Sequence, residues 1–335
     1  MPIKIPDNLP AAANLREEGV RLIGEGQALR QDIRPLRIAL LNLMPEKPKT
    51  ETQLARLLGA TPLQVELTLL TTTTYRPSTV PLSHLHAFYR TWSDVRSEKF
   101  DGLIVTGAPV ELLPFDEVKY WSELTAIFDW SRRHVHSTLS ICWGAQAALH
   151  HFYGVPKHLL PKKRFGIYAH SVAERHDACR PALMRGFDDI FFVPVSRHTE
   201  VRIENLPRNS GLEVMAASDQ AGLCLLQDER SRHVFMFNHL EYDTHTLDDE
   251  YRRDLGRHAG VEMPENYYPN DNPSRTPRNC WRACAHLLFG NWINEIYQTT
   301  PYDVAAVGLP AEKTPLQLHG SPRTPAAASR DALAG

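Results

Sequence analysis

The sequence predicts an α/β fold: a doubly wound, mostly parallel sheet with an antiparallel extension. Three observations carry that expectation. Apolar runs at 37–43, 64–70, 100–106 and 137–141 are each the right length for one buried strand. Helical stripes alternate with them, which is the rhythm of parallel βαβ units. Further on, 212–218, 222–227 and 233–238 are β-segments joined by short turns, as in antiparallel hairpins.

In chain order, residues 1–34 carry scattered prolines and two short charged stretches. They are expected to pack as an extension on one α/β domain spanning 35–303. The first strand turns at Met44-Pro45-Glu46-Lys47-Pro48, and Leu54, Leu57 and Leu58 form a helical stripe ending at Gly59. The Thr-, Pro-, Ser- and His-rich stretch 71–92 is a long surface loop with one short helix. The third strand breaks at Gly107-Ala108-Pro109. Tyr120, Trp121, Leu124, Ile127, Phe128 and Trp130 then mark an amphipathic helix. The fourth strand ends at Cys142 and a helix follows. A looser region containing Lys162, Lys163 and Arg164 comes next, then 191–198, a strand running into a loop. Helices are expected at 246–258 and 281–297, and a disordered tail at 304–335.

Composition narrows the function classes. Of 335 residues, 37 are Lys or Arg and 39 are Asp or Glu, a formal charge of -2. No basic excess points to nucleic acid, and no basic amphipathic run points to a membrane surface. No apolar run reaches the ~20 residues of a spanning helix. Five scattered cysteines in a chain of this length make no disulfide framework, so a cytoplasmic location is expected. Cys280, Cys284 and His286 lack a fourth ligand and read as an ordinary helix face rather than a metal site.

Cys142 is the candidate nucleophile. A side chain on a sharp strand-to-helix turn is lifted from the sheet and faces the free N–H groups of the helix behind it. There a thiolate is favoured and an oxyanion can be held, with Trp143 contributing its N–H. A cysteine ending a core strand is also ordinary buried structure. Against that, Lys47 and Glu111 fall just past strand ends too, where ligands bind in such sheets. His239 follows the apolar strand 233–237, with Glu241 two residues on. A carboxylate beside an imidazole fixes its tautomer, so Cys142, His239 and Glu241 make a workable nucleophile, base and orienter.

These motifs, with others spread over roughly residues 1–304, resemble the homoserine O-acyltransferases of methionine biosynthesis. The matching stretches include 1–3, 40–45, 100–109, 141–146, 196–200, 287–292 and 297–302. The resemblance implies a flavodoxin-like fold of the class I glutamine amidotransferase type. It implies an acyl thioester at Cys142, with His239 as proton acceptor and Glu241 its partner. Lys163, Ser196 and Arg253 are implied to bind the amino-acid substrate. Glu111 is implied to set the donor, glutamate going with acetyl-CoA and glycine with succinyl-CoA. Lys47 is a further candidate for holding the acyl oxygen. No permanently bound cofactor is implied; acetyl-CoA enters as co-substrate, L-homoserine as acceptor, and a homodimer is expected.

The chain departs from the family pattern at Val195, Asn238 and Leu240, and around 281–286. The first three sit beside the base or the substrate residues, which opens L-serine as a rival acceptor. A succinyl donor also stays open, as does a glutamine amidotransferase-like hydrolase on the same scaffold. Against the hydrolase, position 140 is Ser where its elbow has Gly.

Overall fold

The computed structural model describes residues 3–5, 9–17, 22–24, 34–75, 80–173, 181–257 and 261–308. Cys179, His258 and residues 309–335 lie outside them. The strands join one twelve-stranded sheet. Its parallel part is built from β1 (Ile3–Ile5), β2 (Leu22–Gly24), β3 (Leu36–Leu41), β4 (Val65–Thr71), β5 (Tyr89–Thr91), β6 (Phe100–Val105), β7 (Val135–Ile141) and β12 (His233–Met236). The antiparallel part is β8 (His158–Val172), β9 (Ile190–Glu200), β10 (Leu212–Ser218) and β11 (Gly222–Asp228). The path runs β2-β1-β4-β3-β6-β7-β12-β11-β10-β8-β9, with β5 on β4.

The helices are α1 (Ala11–Glu17), α2 (Lys47–Leu58), α3 (Leu82–Phe88), α4 (Trp92–Val95), α5 (Trp121–His134), α6 (Trp143–Tyr153), α7 (Thr246–Leu255) and α8 (Arg282–Thr299). Apolar residues fill both faces of the central strands. Ile38 and Leu40 join one cluster with α2 and α8, while Ala39, Leu41 and Leu103 join the other with α5 and α6. This two-sided burial explains why β3, β6 and β7 read as continuous apolar runs.

Four sequence expectations change. The segment 233–238 is not part of the antiparallel extension on both sides: β12 pairs in parallel with β7. The looser region is instead the fifteen-residue β8. Its polar outer face and a register break between Leu159 and Arg164 hide the strand pattern. The loop 71–92 also gives up Tyr89–Thr91 to the sheet edge. The expected tail is ordered over its first residues, since Val304–Ala306 forms a short 3-10 turn, Val307 is buried, and Lys99 donates to the Val307 carbonyl at 2.8 Å.

The strand order reverses at β3, from which the chain winds first to β4 and later to β6. Ligands in such sheets bind at the carboxyl ends beside this reversal. The turns after β3, β6, β7 and β12 all converge there. Thr106 ties two of them together, accepting the Leu43 N–H at 2.8 Å.

Candidate active site

Register brings nucleophile and base together. Ile141 on β7 lies opposite Met236 on β12, and the Cys142 N–H donates to the Met236 carbonyl at 2.7 Å. Both chains therefore leave the sheet at the same level, one into α6 and the other into the segment carrying His239. Cys142 has φ 51 and ψ -119, a conformation that costs a non-glycine residue about 1–3 kcal/mol. The cost is met by close packing underneath. A Cβ at Gly144 would stand 2.5 Å from the Thr106 carbonyl oxygen, so only glycine lets α6 approach the β6 turn. Ala145 and Gln146 return their N–H groups to the Cys142 carbonyl, leaving those of Trp143 and Gly144 ahead of the first helical hydrogen bond.

His239 Nδ1 and Glu241 Oε1 are 2.7 Å apart. Both side chains are buried, and the imidazole interacts electrostatically with Cys142. An Nδ1–H donated to Glu241 leaves the other ring nitrogen to take the thiol proton. Burial pushes the Cys142 thiol up, and His239 partly offsets it. Burial alone would drive His239 toward neutrality, yet Cys142 and Glu241 together hold its pKa well above the ordinary value. One consequence is testable. Glu241→Gln removes a carboxylate that favours imidazolium, so the acidic limb of the pH–rate profile moves to lower pH while the rate falls about 10²–10⁴-fold. An unmoved limb contradicts the role given to Glu241.

Cys142 and His239 line a cavity of about 300 Å³ together with Glu111, Lys163, Ser196 and Arg253. Six residues singled out in sequence thus share one space. The β8 register break carries Lys163. Its ammonium lies 3.4 Å from Glu250 and 3.3 Å from Asp254, over the Phe165 ring. Arg253 and Glu250 come from α7, which is fixed to α2 by Lys49–Asp249 at 2.6 Å and by Gln53 to Thr246 at 3.0 Å. Glu111 is held by the end of β9: its Oε2 accepts the N–H groups of His198 at 2.7 Å and Thr199 at 3.2 Å.

Lys47 is placed differently. It is buried, its ammonium donates to the Asn42 carbonyl, and it is not among the residues lining the cavity. Burial lowers its pKa to about 8, with Glu51 acting against that shift. Its position fits support for the turn after β3. Trp143 is fully buried, and its N–H, not its ring, belongs to the elbow. Val195, Asn238 and Leu240 also stay out of the cavity wall. Val195 packs with Tyr168 and Ala221. Asn238 accepts from Arg197 at 2.7 Å and contacts His170 at 2.9 Å. Tyr242 and Glu250 also line the cavity and were not singled out in the sequence. Tyr242 stacks on His239 with ring centroids 4.1 Å apart and planes 15° apart. Its place one residue after Glu241 was the only signal for it; Glu250 had none stronger than sitting three residues before Arg253.

A family model described as homoserine O-succinyltransferase matches residues 2–302. The chain belongs to this family. Within it, relatives from Rhizorhabdus wittichii and Novosphingobium aromaticivorans, each named homoserine O-acetyltransferase, are 58% identical over 308 residues. The match covers 92% of this chain in both cases, and 95% and 100% of the relatives. A relative of the same name from Rhizobium leguminosarum bv. trifolii is 53% identical over 311 residues, covering 92% and 99%. Among solved structures, a glutamine amidotransferase from Thermotoga maritima has a TM-score of 0.50 at 11% identity, covering 80% of this chain and 100% of that one. A second, from Methylobacillus flagellatus, scores 0.50 at 13% identity over 78% and 95%. These likenesses show that this chain has a fold of the class I glutamine amidotransferase type.

Proposed function

We propose that the protein transfers an acetyl group from acetyl-CoA to the side-chain hydroxyl of L-homoserine, through a thioester on Cys142. The observation carrying this reading is the elbow cysteine paired with His239–Glu241 in a cavity that also presents Arg253, Lys163 and Ser196.

In the first half-reaction the Cys142 thiolate attacks the thioester carbonyl. The oxyanion is held by N–H groups at the start of α6, Trp143 foremost. The carbon–sulfur bond to CoA then breaks, and the departing thiolate takes the proton from His239. Acylation removes the negative charge at Cys142, and with it one of the two interactions that raise the imidazole's pKa. His239 is thereby returned to the neutral form that a base requires. It takes the hydroxyl proton of homoserine, the oxygen attacks the acetyl carbonyl, and Cys142 leaves as thiolate. Arg253 suits the substrate carboxylate as a two-pronged donor.

Acetyl is favoured over succinyl by Glu111. Its carboxylate, fixed on the cavity wall by β9, fills space and repels a second carboxylate. The names of the relatives agree with that preference. Homoserine is favoured over serine because Val195, Asn238 and Leu240 do not line the cavity, so these departures leave its walls intact.

The test is CoA release with acetyl-CoA or succinyl-CoA against homoserine or serine. Acetyl-CoA with homoserine is expected to give the highest kcat/KM. Preference for succinyl-CoA or serine contradicts the donor or acceptor assignment, and glutamine hydrolysis without acyl transfer contradicts the reaction class.

A further inference from the structure

Arg197 is a buried cation to which the two half-reactions assign no part. It stands on β9 between Ser196 and His198, both on the cavity wall, and strand alternation turns its own side chain away from theirs. It is 3% exposed. Its guanidinium donates to the Asn238 side-chain oxygen at 2.7 Å, to the Leu223 carbonyl at 3.4 Å and to the Ala221 carbonyl, while Nε has no partner among the described residues. All three acceptors are neutral. A buried charge without an opposite charge is costly, so an anion is expected within its field. Burial lowers the Arg197 pKa, and the interaction that most opposes this is with Cys142, ahead of Cys224, Glu200 and Glu111. Glu200 is paired with Arg202 at 3.0 Å, and Glu111 is held by the β9 backbone. Cys224 is buried, which pushes its thiol up to about 12 and keeps it protonated at neutral pH. That leaves the thiolate of Cys142.

Asn238 sets the position of the guanidinium. Its amide is buried; the nitrogen donates to His170 Nε2 at 2.9 Å, and His170 Nδ1 donates in turn to the Tyr168 carbonyl at 2.9 Å. Burial lowers the His170 pKa to about 4, so the imidazole is neutral and offers one acceptor. The amide therefore has one orientation, with its oxygen toward Arg197. Asn238 also immediately precedes His239, whose N–H donates to the Pro194 carbonyl on β9 at 2.9 Å. Guanidinium and imidazole are thus held by the same two segments. When the Cys142 proton passes to His239, the thiolate and the Glu241 carboxylate face imidazolium and guanidinium, two charges of each sign among the buried groups of the elbow. We infer that Arg197 is the counter-cation of the elbow, stabilising the Cys142 thiolate before acylation and again when the acetyl group departs, and that Asn238 is the positioning residue that holds it there. The inference rests on the reading of Cys142 as the nucleophile.

The test is the pH dependence of Cys142 alkylation by iodoacetamide, followed by peptide mass so that the exposed Cys280 and half-buried Cys284 are scored apart. Cys142 is also faced by His239, Glu111 and Glu241, and its cavity carries Lys163, His198, Tyr242, Glu250 and Arg253; all are unchanged in the variants compared. Arg197→Gln is expected to move the thiolate limb up by about one pH unit or more, the size of effect a nearby charge has on an ionising group. Below that limb the CoA burst should slow by roughly tenfold or more, and recover as pH rises. Arg197→Lys keeps the charge and should hold the limb within about half a unit of wild type. Asn238→Ala releases the guanidinium and should move the limb the same way by less. An unmoved limb in folded Arg197→Gln, even with reactivity lowered at every pH, overturns the role of Arg197, as does a Lys variant that moves as far as Gln. An unmoved limb in Asn238→Ala overturns the positioning role, and decides against the whole proposal where a thermal melt shows that Arg197→Gln does not fold. Iodoacetamide needs no substrate. A wild type that forms no acetyl adduct would therefore sink the reading of the function, while the alkylation profile still judges Arg197.

Discussion

His239→Asn is expected to lower both half-reactions by about 10²–10⁴-fold while the protein still folds. The imidazole shares the cavity with the nucleophile, interacts electrostatically with Cys142, and lies 2.7 Å from Glu241. Asparagine keeps a donor for Glu241, whose second carboxylate oxygen is buried without a partner among the described residues and would tolerate no further loss. It offers no group that can accept the thiol proton or the hydroxyl proton. Stopped-flow release of CoA measures the first loss, and turnover with homoserine the second. A variant that loses only turnover, with normal CoA release in the burst, would mean that Cys142 ionises without His239.

Glu111→Gly is expected to change the donor. Two unit charges 4 Å apart at an effective dielectric of 20 repel by about 4 kcal/mol, and partial exposure of Glu111 reduces that. The ratio of kcat/KM for acetyl-CoA over succinyl-CoA should therefore fall by roughly 10–10²-fold. The same change leaves the N–H groups of His198 and Thr199 without their carboxylate, so some loss of stability accompanies it. A thermal melt measures that loss independently of specificity. An unchanged ratio would show that the donor is selected elsewhere.

Much of this site was legible because its residues stand just beyond strands whose apolar runs are continuous. Cys142, Glu111 and His239 each follow such a run, and parallel strands end on the same side of a sheet. The His-x-Glu pairing was readable from a two-residue spacing, and the structure has it at hydrogen-bond distance. Lys163 could not be read this way, since its strand carries polar residues and a register break that erase the alternation. Glu250 and Tyr242 were hidden for another reason. Their importance comes from contacts between β8, β9, α7 and the segment after β12, which no local pattern records. The same limit applied to Val195, Asn238 and Leu240. Nearness in sequence to Ser196 and His239 made them candidates for shaping the acceptor pocket. The backbone turns their side chains elsewhere: Val195 into a small apolar cluster, Asn238 onto Arg197, and Leu240 toward the separate cavity lined by Arg56 and Trp281.

The central claim is that Cys142 carries the acyl group between two half-reactions. Intact mass of the protein after brief exposure to acetyl-CoA, with no acceptor present, tests it most directly. The mechanism predicts one added acetyl group, mapped to Cys142, lost on adding homoserine and absent from Cys142→Ala. An unmodified protein that nevertheless turns over acetyl-CoA and homoserine, or an adduct that homoserine does not discharge, would contradict it.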